Sequence, residues 1–296
     1  MNTEQIRTLD RAKTVVILPG GILEEHGPSL PSFTDGYFNE ALTALLAQAI
    51  VARADWQVLI FPTIPLGVGG ANEIGRKHVF PGTYAVRSAT LRAVFMDLAT
   101  ELGEQGFRWI FVVHAHGAPN HNRMLEQAGA YFRDEFGGRM VHLMGLLPEG
   151  AARPKGLTEA QLKEDGLSVH AGAWETATML FLQPDLVSPA FRGAAPQTGQ
   201  NWDDLVRLGR APDWPGYFGS PRLATAALGA AAFRHERATI DLALQILDGL
   251  DERTINRYTA MMSKSEPNTA IDRDALERER QVEKRQQAWL QKSRER

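Results

Sequence analysis

Apolar runs and amphipathic stretches alternate along the first half of the chain. Short apolar, β-branched runs predict buried strands, and each is followed by a segment whose apolar residues recur at helical spacing. The predicted strands are 14–21, 56–67, 108–117 and 139–147, and the predicted helices are 38–54, 91–106 and 122–136. Such alternation is typical of parallel strands joined by right-handed crossovers. The pattern therefore predicts an α/β fold with a doubly wound, mostly parallel sheet flanked by helices.

The second half of the chain is less regular. Residues 171–187 and the alanine-rich residues 223–250 have helical spacing, whereas residues 188–222 are rich in Pro, Gly, Asp and Trp and predict a long surface excursion. We divide the chain into one domain, 1–265, and a charged C-terminal helical tail, 266–296. Two interpretations of the tail stay open: a solvated, partly frayed helix, or an arm that packs on a neighbouring subunit.

Composition narrows the class of protein. The chain has 296 residues, a formal charge of -3 and no cysteine. This charge is too small to favour nucleic acid or an anionic membrane as a partner. The lack of cysteine excludes disulfides, thiolate metal sites and a cysteine nucleophile. No signal peptide is visible, and no run of about 18 apolar residues could span a bilayer. We expect a soluble, cytoplasmic protein.

Carboxylates and a histidine follow the first predicted strand, in LPGGILEEHGPSLPSFTDGY (18–37). Glu24 and His26 are two residues apart, so in extended chain their side chains project to the same side. Asp35 follows a turn-rich segment, and His116 lies near the end of the third predicted strand. Ligands of parallel sheets bind beyond the carboxyl ends of the strands, so these side chains can meet there. Zinc, manganese or iron would offset their charge.

Each of these residues also has an ordinary structural explanation. Glu24 is in a loop, where a carboxylate is usually solvated, and His26 can be a turn histidine. Asp35 can cap the helix that follows it, and His116 can bond a backbone carbonyl at a strand end. Spacing alone leaves both interpretations open.

Four motifs of the chain resemble those of the creatininase (creatinine amidohydrolase) family. The motifs are GILEEHGPSLPSFTD (21–35), KHVFPGT (77–83), HAHGAPNHN (114–122) and HAGAWET (170–176). They stand in the family's order over residues 14 to about 190. The resemblance implies that residues 1–265 form a creatininase-like, metal-dependent hydrolase domain. It also implies a homo-oligomer, and hexamers are common in the family.

The resemblance further implies a site for two divalent ions, which we expect to be Zn, Mn or Fe. Glu24 and His26 would bind different ions, and Asp35 would bridge them. His116 would join Glu24 on one ion. Two ions so bridged can hold a hydroxide between them and lower the pKa of water from about 15.7 toward 7, which makes a nucleophile at neutral pH.

The chain departs from the family pattern at several positions. Ser29 occupies the place of the second histidine of the first motif, and Ala173 stands where many relatives carry an acid. Ala118 stands where creatininase proper has a carboxylate ligand. We expect Glu175 to replace that ligand on the second ion; the alternative is a partly buried helix carboxylate. These departures weaken the case for creatinine as the substrate but not the case for hydrolysis.

Three further residues are candidates for roles toward the substrate. The departing nitrogen of an amide needs a proton, and His170 is the candidate catalytic donor, with a structural helix-cap histidine as the alternative. Trp174 is a candidate substrate contact, although an aromatic residue at helical spacing is more often part of the core. His78, beside the FPGT turn, is a candidate substrate contact as well. We interpret the remaining histidines as structural.

We therefore predict a metal-dependent amidohydrolase that cleaves a non-peptide C–N bond of a small cyclic or linear amide. Formamide deformylation, creatinine hydrolysis and trimming of a small peptide-derived precursor stay open within the family. A non-catalytic, ligand-binding member of the same fold is the alternative to an enzyme, and it would be expected to lack metal ligands. A nucleotide-binding module would need a glycine-rich phosphate loop, which the sequence lacks.

Overall fold

The centre of the structure is a parallel sheet of four strands. A computed structural model describes residues 1–147 and 156–294. The strands are β1 Thr14–Pro19, β2 Gln57–Ile60, β3 Trp109–Val113 and β4 Arg139–His142. They lie in the order β2-β1-β3-β4, and all three neighbouring pairs are parallel. The predicted α/β fold with a parallel sheet flanked by helices is confirmed.

Strand β1 leads directly into the loop that carries Glu24 and His26. All six of its residues are buried, as expected for the continuously apolar sequence TVVILP. Val15 pairs with Val58 of β2 on one side and with Trp109 of β3 on the other. Because the strand order reverses between β1 and β3, the loops that follow these two strands diverge and open a crevice at the carboxyl edge of the sheet.

Eleven helices are present in the described part of the chain. They are α1 Thr3–Arg7, α2 Thr34–Val51, α3 Ser88–Glu104, α4 Pro119–Phe136, α5 Glu159–Asp165, α6 Ala173–Leu182, α7 Trp202–Arg210, α8 Ala226–His235, α9 Arg237–Leu247, α10 Tyr258–Met262 and α11 Glu266–Arg294. A short antiparallel pair joins β5 Leu146–Leu147 to β6 Asn256–Arg257. Single 3-10 turns cover Ala71–Glu73, Leu143–Gly145, Pro184–Leu186, Pro189–Gly193, Pro221–Leu223 and Glu252–Thr254.

Helices cover both faces of the sheet. Successive side chains of β1 point to opposite faces, so Val16 packs in a core with Phe95 of α3 and Phe132 of α4. Val15 packs in a second core with Leu46 of α2 and with α9. Burying one large apolar side chain stabilises the fold by roughly 1.5–3 kcal/mol. The two cores therefore fix the sheet edge from which the site residues project.

Three expectations from the sequence need correction. The predicted strand 56–67 ends at Ile60, because prolines follow it and cannot donate to a ladder. The predicted helix 223–250 is two helices, α8 and α9, joined at Glu236. Residues 188–222 are not only a surface excursion: they contain α7 and bury Trp214 and Phe218 in a small core of their own.

The predicted C-terminal helix is confirmed as α11. Asn268 and Ala275, in its first half, are buried against the body of the protein, whereas residues 284–294 are exposed. In the described residues no helix is both long and apolar enough to cross a membrane.

Candidate metal centre

The loop after β1 carries Glu24 and His26 into the crevice. Both side chains are buried. The backbone of this loop is tied to its own return, where Glu24 N donates to Ser32 O at 2.9 Å. His26 Nδ1 lies 3.0 Å from Glu24 O and can only donate to that carbonyl. His26 Nε2 is therefore left as the free ring nitrogen, pointing away from its own loop.

His116 is oriented in the same manner after β3. Its Nε2 lies 3.0 Å from Val68 O and 2.8 Å from Gly69 O, so Nε2 carries the proton and donates to these carbonyls. Nδ1 is the ring nitrogen that faces the carboxylates of Glu24 and Asp35. A histidine that binds a metal ion usually donates its other ring N–H to a carbonyl or carboxylate, and this bond fixes the tautomer. Both His26 and His116 have this arrangement.

Asp35 lies between the two histidines. It stands in the first turn of α2. Its Oδ1 is 3.4 Å from His26 Nε2, and its Oδ2 is 3.2 Å from His116 Nδ1. The two oxygens of one carboxylate thus face two different groups of side chains.

Glu24 and Glu175 complete the two groups. Glu24 Oε2 lies 3.2 Å from His116 Nδ1, and its other oxygen accepts a hydrogen bond from Ala71 N. Glu175, in the first turn of α6, places Oε2 3.7 Å from His26 Nε2. The groups are Glu24, Asp35 and His116, and His26, Asp35 and Glu175; in each, the ligand atoms lie within 4.8 Å of one another.

The donor atoms of these groups fit metal ions. Glu24 Oε2, His26 Nε2 and Asp35 Oδ2 are buried without a hydrogen-bond partner. Buried polar atoms are normally paired, and leaving one unpaired costs roughly 1–3 kcal/mol, more for a charged group. A divalent cation at each group would satisfy these atoms. Carboxylate oxygen and imidazole nitrogen suit Zn, Mn or Fe.

The electrostatics of the cluster point the same way. Burial opposes ionisation of Asp35, but its close contacts with His116 and His26 outweigh it and hold the pKa of Asp35 well below its usual range. Burial likewise opposes protonation of His116, yet the charge of Glu24 and the contact with Asp35 raise its pKa well above the ordinary value. The site therefore keeps its carboxylates ionised and attracts positive charge.

His170 lies at the edge of the cluster, directly before α6. Its Nε2 is 2.5 Å from Glu25 O and 3.5 Å from Glu25 Oε1, and its Nδ1 is 3.7 Å from Glu24 Oε1. Burial opposes protonation of the ring, but the charges of Glu24 and Glu25 outweigh it and hold the pKa of His170 well above 6.5. His170 also forms a third set of close donor atoms with Glu24 and His26.

Sequence reasoning missed Glu25. A glutamate in a loop is usually solvated, yet Glu25 is buried beside His170. Burial raises its pKa above the ordinary value, against the opposing charge of His170. Gly27 N donates to its Oε2 at 3.3 Å. The sequence does contain a signal: Glu25 stands between Glu24 and His26, two predicted metal ligands, so its side chain was also a candidate for the site.

A cavity of about 520 Å³ opens above the cluster. Its floor includes Glu24, Asp35, His116, His170 and Glu175, and Trp174 lines its wall. A volume of this size lies within the range of roughly 300–1,000 Å³ that is typical of small-molecule sites. The cluster is therefore open to a ligand on one side.

The comparison with known families decides the relationship. The family model for creatininase, described as creatinine amidohydrolase, matches residues 1–241. The chain belongs to the creatininase family. The predicted family is therefore confirmed.

Two relatives of this creatininase-family chain have different names. It is 27% identical over 188 residues to the mycofactocin precursor peptide peptidase of Mycolicibacterium smegmatis, over 62% of this chain and 64% of the relative. It is 28% identical over 182 residues to the creatinine amidohydrolase of Pseudomonas putida, over 58% of this chain and 66% of the relative. The matches thus span slightly less than two thirds of the relatives' length.

A solved structure of a manganese creatininase has the same fold. It superposes with a TM-score of 0.60 at 21% identity, over 84% of this chain and 96% of that chain. Identity at this level supports the fold alone.

Ala118 stands where the resemblance to the family leads us to expect a carboxylate ligand. The residue caps the start of α4 and presents only a methyl group to the cavity. Glu175 instead places its carboxylate beside His26, and its Oε2 accepts a hydrogen bond of 2.5 Å from Ala171 N. Ala171 has a positive φ of 48°, a conformation that is uncommon for a side chain with Cβ. This hydrogen bond stabilises the turn between His170 and Glu175.

The structure does not place His78 in the cavity wall. His78 Nε2 lies 3.0 Å from Asp274 Oδ2 of α11, and the residue is absent from the described lining. Glu73, which sequence reasoning did not single out, does line the cavity. Burial raises the pKa of Glu73 to about 7, and the charges of Glu279 and Glu24 add to the effect.

Three histidines are buried behind the cluster of this creatininase-family chain: His114, His121 and His142. Burial lowers the pKa of each, to about 3 for His114 and His142, so they are neutral. The ring of His121 lies 5.1 Å from that of His116, and His121 Nδ1 accepts a hydrogen bond from Val68 N. These buried rings pack behind His116 and help to hold it in position.

Proposed function

We propose that this member of the creatininase family is an amidohydrolase that binds two divalent ions and cleaves a non-peptide C–N bond of a small cyclic or linear amide. One observation carries the proposal. The two oxygens of Asp35 face His26 and His116 separately, so one carboxylate belongs to two groups of donor atoms.

Each group would hold one ion. Glu24, Asp35 and His116 would bind the first. His26, Asp35 and Glu175 would bind the second. When bound, the two ions would supply Lewis acidity for the amide carbonyl and would lower the pKa of water from about 15.7 toward 7. Zn, Mn and Fe all suit this set of oxygen and nitrogen donors.

His170 would supply the proton that the leaving nitrogen requires. Amide hydrolysis adds water across the C–N bond, and the nitrogen leaves as an amine only after it accepts a proton. His170 lines the cavity, and its carboxylate neighbours favour the protonated ring. General acid catalysis of this kind contributes roughly 10²–10⁴-fold in rate. Glu25 would hold the ring in position through its backbone carbonyl and its carboxylate.

A peptide-derived substrate is the second candidate. A relative at 27% identity is named as a precursor peptide peptidase, and a second such relative matches at 25% identity. Trimming a short peptide uses the same attack on an amide carbonyl and the same protonation of nitrogen. The two candidates therefore differ in substrate and use the same catalytic residues.

Metal analysis tests the proposal most directly. The purified chain would be stripped with a chelator, reloaded with Zn, Mn or Fe and assayed against creatinine, formamides, hydantoins, lactams and short peptides. We expect two equivalents of metal per chain and hydrolysis that depends on them. Asp35→Ala should lose both, whereas Asp97→Ala, at an exposed position of α3, should lose neither. A chain that never takes up metal would refute the proposal. The predicted homo-oligomer and cytoplasmic location stay predictions.

A further inference from the structure

The first half of α11 forms part of the cavity wall. Asn268, Ile271, Asp272 and Ala275 line the same cavity as the candidate metal ligands. Ala275 is buried there, with a relative exposure of 6%. The helix begins at residue 266, beyond the residues 1–241 that match the family model. The wall is thus built from a part of the chain outside the matched region.

Polar contacts hold this half of α11 against the body. Asp272 pairs with Arg123 of α4 at 3.4 Å. Ser88 Oγ, at the start of α3, donates to Glu279 at 2.7 Å. Together with the contact between Asp274 and His78 described above, these bonds attach the helix at three points over about two of its turns. The first half of α11 is therefore a fixed wall of the cavity and not a loose tail.

The wall that faces the metal cluster is largely apolar. Besides Ile271 and Ala275, it includes Phe38, Trp174 and Trp202. A small ring such as a lactam would leave much of a 520 Å³ cavity unfilled. Among the residues that the structure describes, no lysine or arginine lines this cavity to pair with a carboxylate on a ligand.

We propose that α11 determines substrate specificity, and that the substrate is an amide that has no carboxylate and carries a bulky apolar or aromatic substituent. The reacting amide lies over the metal ligands, and the substituent packs against Ile271 and Ala275. This inference rests on the proposed function, since it assumes that the amide is directed to the metal cluster. It adds the size and polarity of the group attached to that amide.

Binding of two related hydroxamates tests the inference without requiring turnover. Acetohydroxamic acid and phenylacetohydroxamic acid share a metal-chelating head and differ by one phenyl ring. Dissociation constants would be measured by calorimetry on the full, metal-loaded chain. We expect the phenyl compound to bind roughly ten-fold more tightly or better, because burying an aromatic ring removes a large apolar surface from water. Succinohydroxamic acid, which carries a carboxylate, should bind no more tightly than acetohydroxamic acid.

Two variants of α11 and a matched control locate the effect. Ala275→Trp should fill the space and abolish the phenyl preference, while acetohydroxamic acid still binds. Ala288→Trp introduces the same side chain at an exposed position of the same helix and should leave the preference intact. Ile271→Ala removes apolar contact and should reduce the preference several-fold, and it decides the matter if Ala275→Trp does not fold.

The outcomes separate the two proposals. If both compounds bind the wild-type chain equally, if the phenyl preference survives in folded Ala275→Trp, or if it is undiminished in Ile271→Ala, the role of α11 is overturned and the proposed function stands. Tighter binding of succinohydroxamic acid overturns the preference for substrates without a carboxylate. If neither hydroxamate binds and the chain holds no metal, the proposed function fails, and the assignment of the α11 wall fails with it.

Discussion

The carboxylate of Glu175 faces the imidazole of His26, with Oε2 3.7 Å from Nε2. Position 118, where the resemblance to the family leads us to expect a carboxylate ligand, is alanine in this chain. Glu175 approaches from the first turn of α6, on a different element of the fold. The second group of donor atoms is thus complete without a ligand from the loop after β3.

Removal of the Glu175 carboxylate should affect one ion and spare the other. We expect Glu175→Gln to reduce bound metal from two equivalents to about one, because the group of Glu24, Asp35 and His116 is untouched. Elemental analysis after dialysis measures this. Glu101→Gln, an exposed glutamate of α3, is the matched control and should retain both equivalents. Retention of both ions in Glu175→Gln would show that Glu175 is not a ligand.

A carboxylate restored at position 118 should compensate for this loss. Ala118 lines the same cavity as the cluster, so we expect a glutamate there to reach it. We expect Ala118→Glu combined with Glu175→Gln to recover the second equivalent, and Ala118→Gln in the same background to recover none. Equal metal content in the two double variants would contradict the idea that the two positions are interchangeable sources of one ligand.

His170 should matter for turnover more than for metal content. His170→Asn removes the proton donor and should lower kcat by roughly 10²–10⁴-fold, with both equivalents of metal retained. His235→Asn, outside the cavity, is the control and should leave kcat unchanged. A loss of metal in His170→Asn would instead assign His170 to the ligands, as its contact with Glu24 also allows.

Glu25→Gln should move the pH profile of the same residue. The pKa of His170 is held above its ordinary value against the cost of burial, and Glu25 supplies part of the charge responsible. Without that charge the pKa of His170 falls, so the ring loses its proton at lower pH. The alkaline limb of kcat/KM should therefore shift toward lower pH, as measured on metal-loaded protein. An unshifted limb would separate Glu25 from the protonation of His170.

The stability of the metal-free chain should depend on Glu73. The pKa of Glu73 is raised from 4.5 to about 7 in the fold, so the folded state binds this proton more tightly than the unfolded state. Its contribution to stability is present below pH 4.5 and is lost as the pH rises through about 7. As the pH rises through this range, the free energy of unfolding of Glu73→Gln should increase relative to that of the wild type, by on the order of 2–3 kcal/mol. Denaturation at several pH values measures the gain; a difference independent of pH would contradict it.

Much of the sheet and its helices could be predicted from the sequence because the periodicity is strong there. The apolar run TVVILP predicts a buried strand, and Phe95 and Phe132 each lie at helical spacing from other apolar residues of their own helix. All of these residues are buried. The family motifs also led to five side chains that the fold brings together. Metal binding by those five side chains stays a prediction.

The parts that could not be predicted depend on long-range packing. Glu25 looked like a solvated loop residue because nothing nearby in the sequence shows that His170 covers it, 145 residues away. Trp214 and Phe218 are buried by contacts with Ala71 and α7, which no local spacing reveals. The first half of α11 is too polar to be identified from its sequence as the wall of a cavity.

The order of the metal donors along the polypeptide has a consequence for biosynthesis. Glu24, Asp35 and His116 have all been translated before Glu175 is added. At typical elongation rates of roughly 5–20 residues per second, a few seconds separate the two events. If the emerging sheet folds in that interval, the group of Glu24, Asp35 and His116 can bind a cation while the group that needs Glu175 is still incomplete. The two ions would then enter the nascent protein one after the other.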